Sequence, residues 1–379
     1  MILALVTAVL LLIYCALIIR FGYLWRAIPL FYSRKDFYPS TKISVIVAAR
    51  NEEKNIDACI QSLQQQDYPR DLLQIIVVDD ESEDETFYKA SSINDSRLLI
   101  VRSGEISSST IPQTPGKKRA IATAIEYSTG SLIVTTDADC IPPVLWLKTI
   151  AAFYEEKRPA FIAAPVMYSS HNNFSAVFQA LDFISLQGIT AAGVHHGLLM
   201  MSNGANLAYE KKAYYDVGGF SGIDQLASGD DLLLMQKIAQ KEKSRIVYCH
   251  APEAIVPTQP AGSWTTFLQQ RFRWASKARF YADAGVTWVL VLVYIVNFLL
   301  LALLILSFLF LKLFLVWVGL VIIKTIIELL FMNPVARFFN QQALLSYFFP
   351  SQPLHIIYTV IAGFFGQVKR YEWKGRKVK

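Results

Sequence analysis

Two apolar tracts constrain this chain more than anything else in it: Ile2–Leu24 and the stretch from Trp288 to Met332. In a bilayer core every backbone polar group has to be satisfied within the protein, so such tracts can only be helices. The first suits one span. The second, about 45 residues long, suits two at ~20 residues each, with Lys312 as the expected turn. A shorter stretch, Leu354–Val368, reads as a re-entrant or interfacial segment, because a full crossing would carry the basic tail Lys369-Arg370…Lys379 to the other side. The expected organisation is an N-terminal anchor over 1–28, one large domain over 38–283, a membrane region over 287–368 and a basic tail over 369–379.

The N-terminal tract has no basic residue before Arg20 and no small-x-small cleavage pattern after it, so a retained anchor is expected rather than a cleaved signal. Arg20, Arg26, Arg34 and Lys35 flank its far end and place the large domain in the cytoplasm. The chain carries a net charge of +6. Its basic residues collect beside the apolar tracts, which points to lipid head groups and topology rather than nucleic acid. Cys15, Cys59, Cys140 and Cys249 have neither disulfide-framework nor zinc-site spacing.

The middle of the chain alternates strands and helices. Ile43–Ala49, Leu73–Val78, Leu98–Val101 and Ser131–Thr135 are β-branched apolar runs. Between the first two, Ile56, Cys59, Ile60 and Leu63 mark one face of a helix. This order implies parallel βαβ units, an α/β sheet whose ligands sit at the carboxyl ends of its strands. Ala49-Arg50, Asp79-Asp80 and Asp137 all fall at such ends. The glycine-rich phosphate loops GxGxxG and GxxxxGK[ST] are both absent. A metal ion would then have to hold phosphates, and Asp137-x-Asp139 offers it hard oxygen ligands on one side of a strand.

Each motif has a plainer reading. Asp79 and Asp80 suit a helix cap as well as a pyrimidine imide N–H. Asp137 and Asp139 could form an acidic turn before Pro142-Pro143, but two such close carboxylates repel without a cation. Lys117, in Gly116-Lys-Lys-Arg119 after the Ser/Thr/Pro-rich loop Ser103–Pro115, could start a solvated helix or reach a diphosphate. Asp230-Asp231 could cap the helix that follows, or Asp231 could be a general base beside an acceptor hydroxyl. Gln270, Arg273 and Trp274 share a helix face by i, i+3, i+4 spacing. They could anchor a membrane interface, or supply a cation for diphosphate and an indole platform for a sugar ring. His195-His196 reads as structural. Ser202–Asn206 reads either as packing or as acceptor lining.

Taken in order, these motifs resemble those of the membrane-integrated, inverting glycosyltransferases of family 2, the group that includes cellulose, hyaluronan and poly-N-acetylglucosamine synthases and ceramide glucosyltransferase. The resemblance runs from Lys42 to about Lys277. It implies a GT-A fold, Rossmann-like with a mostly parallel sheet, carrying one N-terminal and two to three C-terminal transmembrane helices. It implies that Ala49, Arg50, Glu52, Asp79, Asp80 and Lys117 hold the donor, and that Asp137 and Asp139 hold Mg²⁺ or Mn²⁺ on the UDP diphosphate. Asp231 would be the base, and Asp230, Gln270, Arg273 and Trp274 would close over donor and acceptor. The implied activity is hexosyl transfer from a UDP-sugar to a lipid or glycan acceptor at a membrane, the bacterial inner membrane, with no nucleic-acid partner. A processive synthase working with export partner subunits, or a non-catalytic sugar-nucleotide-binding subunit, are the alternatives. The pair is Asp-Asp where the family often has Glu-Asp. The few spans offer no evident polymer channel, which favours a lipid acceptor.

Overall fold

The computed structural model describes residues 2–104, 111–112, 116–169, 172–224, 229–277, 281, 283–368, 371–373 and 376–378. Most of the Ser103–Pro115 loop, Ser228, and Lys369, Arg370, Lys374 and Lys379 of the basic tail lie outside them. In chain order the elements begin with α1 (Ile2–Arg26), β1 (Ile43–Ala49), α2 (Ile56–Gln64), β2 (Leu73–Asp79), α3 (Thr86–Ser92), β3 (Leu98–Arg102), α4 (Lys117–Tyr127) and β4 (Leu132–Asp137). Then come α5 (Trp146–Lys157), β5 (Phe161–Ala163), β6 (Val166–Tyr168), α6 (Phe174–His195), β7 (Leu207–Glu210), α7 (Lys211–Asp216) and α8 (Leu232–Glu242). Next come β8 (Ile246–Tyr248), β9 (Val256–Thr258), α9 (Trp264–Ser276), α10 (Ala284–Ser307), α11 (Leu311–Phe338) and α12 (Phe348–Val368), and the short strands β10 (Tyr371–Trp373) and β11 (Arg376–Val378) follow.

Two compact units form. One comprises residues 29–169, 194–259 and 374–379, the other 1–28, 170–193 and 260–373. This division differs from the sequence-based one over 38–283, because α9 and most of α6 group with the apolar helices.

The α/β unit is built on a seven-stranded sheet in the order β3-β2-β1-β4-β7-β5-β8. β3, β2, β1 and β4 are parallel, β7 runs against β4 and β5, and β5 pairs parallel with β8. The first strands are buried on both faces. Val45, Val47, Ile75, Ile76, Val78, Leu132, Ile133 and Val134 are fully covered, each such side chain contributing about 1.5–3 kcal/mol on burial. The chain leaves β1 toward β2 and β3 on one side and returns to β4 on the other. That switch point opens a crevice at the carboxyl edge. Register puts Ala49 beside Asp79, and Ala48 beside Asp137, so three of the expected strand-end positions share one edge.

In the helical unit, α1, α6, α10 and α11 are long and apolar enough to cross a membrane. α6 differs from the other three: 78% of its apolar window is covered by protein, against 22–33% for theirs. Sequence reasoning passed over α6, since Gln179, Asp182 and Gln187 interrupt its apolar run. The turn expected at Lys312 lies just before it, at 308–310, and Lys312 is the second residue of α11. Leu354–Val368 forms part of a 21-residue helix, α12, that starts at Phe348. α1 buries Thr7, Leu11, Tyr14, Ile18, Phe21 and Trp25, a 4-3 alternation that makes a single packing stripe. Trp25 meets Phe338 of α11 edge-on, ring centroids 5.6 Å apart.

Candidate active site

The loops that leave β1 and β2 are laced together. Asn51 N–H donates to Ser82 Oγ at 3.0 Å, Glu83 N–H to Asn51 Oδ1 at 2.9 Å, and Glu52 N–H to Thr86 Oγ1 at 2.7 Å. Asn51 and Glu81 both take left-handed backbone conformations, φ 52° and 59°. Such a conformation costs a non-glycine residue about 1–3 kcal/mol and is held only by surrounding structure. Arg50 supplies that hold. Its side chain is buried and donates to the carbonyls of Asp80 and Glu81, each at 2.8 Å, and to Glu83 Oε1 at 3.1 Å. Glu52 Oε2 accepts from Asn55 at 2.7 Å. Asp84 lies below the usual carboxylate range: burial opposes this, but hydrogen bonds from the Thr86 hydroxyl and from nearby backbone N–H groups outweigh it. Asp79 and Asp80 are both buried, and Asp79 Oδ1 accepts no hydrogen bond from the described residues.

Lys117 is the first residue of α4, which begins at the carboxyl edge of the sheet. Its Nζ lies 2.5 Å from Asp137 Oδ1 and 3.2 Å from Asp230 Oδ2. Burial works to discharge this ammonium, but the nearby Asp137, Asp230 and Asp231 carboxylates raise its pKa instead. The next two basic residues diverge. Lys118 donates to the Ile223 carbonyl at 2.6 Å, and Arg119 reaches Ser103 Oγ at 2.8 Å and the Glu81 carboxylate. Asp231 caps α8, its Oδ1 accepting from Leu232 N–H at 2.7 Å and its Oδ2 from Gly204 N–H at 3.1 Å.

Gly204 belongs to the 202–206 segment. β7 runs antiparallel to β4, so this segment enters the sheet at the edge where β4 ends. A Cβ at Gly204 would lie 2.8 Å from Lys117 Nζ and 3.2 Å from Asp230 Oδ2. Asn206 has a different role: it is fully buried, accepts from Trp146 Nε1 at 2.9 Å, and donates to the Pro165 and Ala254 carbonyls, each at 2.7 Å. Asn206 thus packs, while Gly204 lies against Lys117 and Asp230. Gly204→Ala is expected to leave the fold intact, because the flexible lysine end can yield. It should slow turnover by roughly 10²-fold through misplacement of the groups around it. Turnover measured beside the melting temperature checks this; a parallel loss of stability would sink it.

β4 ends at Asp137 and Asp139 lies in the turn beyond it, so the strand argument for their sharing one side does not reach Asp139. No group of three or more metal-ligating side chains occurs among the described residues. The donor set still fits a hard cation: Asp137 is 37% exposed, and Mg²⁺ characteristically takes one or two carboxylates and completes its shell with phosphates and water. Cys59 and Cys140 border the pair, with thiols 3.7 Å from the Asp137 carbonyl and from Asp139 Oδ1. Burial first, then the adjacent Asp139 and Asp137 charges, pushes both thiol pKa values up, which keeps them protonated.

In the helical unit, Gln270, Arg273 and Trp274 are half-buried on α9. Sequence reasoning missed Arg271 between them, which is almost fully buried and pairs with Asp182 at 2.6 Å. Its signal was available: an aspartate in an otherwise apolar helix needs a partner. His195 and His196 sit edge-to-face at the end of α6, ring centroids 4.9 Å apart.

The family model described as glycosyl transferase family 2 matches residues 44–218, and the model for glycosyl transferase family group 2 matches residues 132–364. Similar curated proteins include glycosyltransferase AglE of Haloferax volcanii, 24% identical over 234 residues, 61% of this chain and 71% of that one. The β-monoglucosyldiacylglycerol synthase of Synechocystis sp. is 28% identical over 261 residues, 66% of this chain and 50% of its own. The chain spans little more than half the length of several curated relatives it matches. Among solved structures, the mannosyltransferase PcManGT of Pyrobaculum calidifontis, in complex with GDP-mannose and Mn²⁺, superposes with a TM-score of 0.57 over 97% of both chains at 18% identity.

Proposed function

This chain belongs to glycosyl transferase family 2 and has the GT-A fold of those enzymes; on that premise we propose that it moves a sugar from a UDP-sugar to a lipid acceptor presented at a membrane, by a metal-dependent inverting displacement. The observation that carries the reading is the meeting of Asp137, Lys117, Asp230 and Asp231 around Gly204 at the carboxyl edge of the sheet.

Asp231 accepts the proton of the acceptor hydroxyl as that oxygen attacks the anomeric carbon. Two backbone N–H groups orient its carboxylate. Asp230 is the less suitable base, because its carboxylate pairs with the Lys117 ammonium, whereas the contacts that hold Asp231 are neutral backbone N–H groups. Lys117 reaches the diphosphate of the departing UDP and balances the charge that develops there. Asp137 and Asp139 would hold Mg²⁺ or Mn²⁺, which when bound supplies Lewis-acid stabilisation of the leaving diphosphate. Asp79, Asp80, Ala49 and Glu52 form the nucleoside end, with Arg50 holding the two loops in place. Gln270, Arg273 and Trp274 serve the acceptor. Back-side attack on an α-linked donor gives a β-linked product.

A lipid acceptor is supported by the three apolar helices that leave most of their surface uncovered. It is also supported by a relative whose name is that of a glycolipid synthase. The anchor over 1–28 and the membrane region over 287–368 then keep the catalytic domain on the cytoplasmic face. The test is UDP release by detergent-solubilised protein from a panel of UDP-sugars, with and without a membrane lipid extract. One donor should be turned over, with lipid stimulating release, EDTA abolishing it and Mn²⁺ restoring it. Release that continues in EDTA would remove the metal from the mechanism. A ladder of lengthening products without lipid would replace the acceptor assignment with polymer synthesis.

A further inference from the structure

Asp182 of α6 is a buried carboxylate on which groups from two other helices of the same unit converge. Arg271 Nη2 of α9 lies 2.6 Å from its Oδ2, the Tyr358 hydroxyl of α12 donates to the same oxygen at 3.5 Å, and His355 Nε2 lies 3.8 Å from Oδ1. The guanidinium held there does a second thing. Its central carbon sits 4.1 Å from the centroid of the Trp274 ring and 4.8 Å from that of Phe267. Phe267, Arg271 and Trp274 follow one another at i, i+4 and i+7, so helix geometry stacks the cation between the two rings. The backbone beyond Trp274 is fixed as well. Gln367 Nε2 donates to the Ala275 carbonyl at 2.7 Å, and α12 approaches so closely that a Cβ on Gly366 would meet the Ala275 Cβ at 2.5 Å.

We propose that Asp182 and Arg271 are positioning residues for Trp274: the carboxylate fixes the guanidinium, and the guanidinium fixes the plane of the indole that receives the acceptor. The inference rests on the reading that gives Trp274 an acceptor role. A planar guanidinium is required because it can pair with the carboxylate and stack on the indole at once. A lysine ammonium keeps the charge but lacks the planar face. Arg271→Lys therefore keeps the ion pair with Asp182 and loses the stack, which separates positioning from stability.

The experiment labels the full-length protein with 5-fluorotryptophan and follows the ¹⁹F resonance of Trp274, assigned by its loss in Trp274→Phe. Lipid-stimulated UDP release is measured alongside, with the membrane lipid extract titrated in mixed micelles. In Arg271→Lys the Trp274 line should shift and broaden while the other tryptophan lines stay in place. The lipid concentration for half-maximal release should rise about tenfold, as expected for one lost stacking contact. Lipid-independent UDP release should not change. Arg271→Lys/Trp274→Phe should lose no more than Trp274→Phe alone, since coupled residues do not add. Asp182→Asn should broaden the same line. An unmoved Trp274 line in Arg271→Lys overturns the proposal, and so do additive losses in the double variant. If Trp274→Phe leaves lipid-stimulated release at the wild-type level, the acceptor role of Trp274 falls and the inference with it. If Trp274→Phe is impaired but Arg271→Lys is not, the inference alone falls.

Discussion

Asp231→Asn is expected to lower transfer by about 10²–10⁴-fold, the usual contribution of a general base, while leaving the fold and donor binding unchanged. The substitution separates two roles held by one carboxylate. As a cap, Asp231 accepts from Leu232 N–H and Gly204 N–H. Asparagine keeps one side-chain oxygen and is as good a cap as aspartate, so α8 should keep its place, while the Gly204 N–H, which meets the second oxygen, loses its acceptor. As a base, the residue must take a proton, and an amide cannot. Asp231→Ala makes the complementary case, losing the base and also about 0.5–2 kcal/mol of cap. Single-turnover transfer, UDP binding and melting temperature measured on both variants give the answer. A substantially active Asp231→Asn would move the base elsewhere and return Asp231 to a purely structural role.

The four parallel strands were legible because they are largely apolar, β-branched runs, three of them ending in a charged residue at the carboxyl edge; β5, β7 and β8, three or four residues each, offered no such run. Ile43–Ala49 and Leu73–Val78 needed no tertiary knowledge. β4 runs two residues farther than its apolar pattern, because Thr136 and Asp137 continue the ladder with β1. Side-chain direction was the harder part. Arg50 resembles a ligand-binding arginine in sequence, yet its donors go to Glu83 and to two backbone carbonyls. Gly204 is unremarkable in sequence, and only the antiparallel entry of β7 brings it against Lys117 and Asp230. In the helical unit the mean apolar character of 288–332 concealed two charges, Lys324 and Glu328, four residues apart. That i, i+4 spacing was the available signal.

Those two charges carry the largest expected effect on stability. Lys324 is fully buried in α11, its Nζ 2.7 Å from Glu328 Oε1 and 2.9 Å from Gln352 Oε1. Glu328 also accepts from Gln352 Nε2 at 2.7 Å and from the Tyr14 hydroxyl. An ion pair within α11 is thus hydrogen-bonded to α1 through Tyr14 and to α12 through Gln352, with Lys324 fully buried and Glu328 nearly so. Removing one partner strands the other, so Lys324→Met should destabilise the protein by about 3–5 kcal/mol. Removing both charges while keeping the hydrogen-bonding shape should restore most of that loss, because the cost of a buried pair lies chiefly in the stranded ion. Lys324→Met/Glu328→Gln does this: the glutamine oxygen still accepts from Tyr14 or Gln352. Thermal unfolding in detergent should rank the wild type and the double variant close together, with the single variant well below. If the double variant melts as low as the single one, lost packing around the lysine stem sets the stability, and the charge on Glu328 has little part in it.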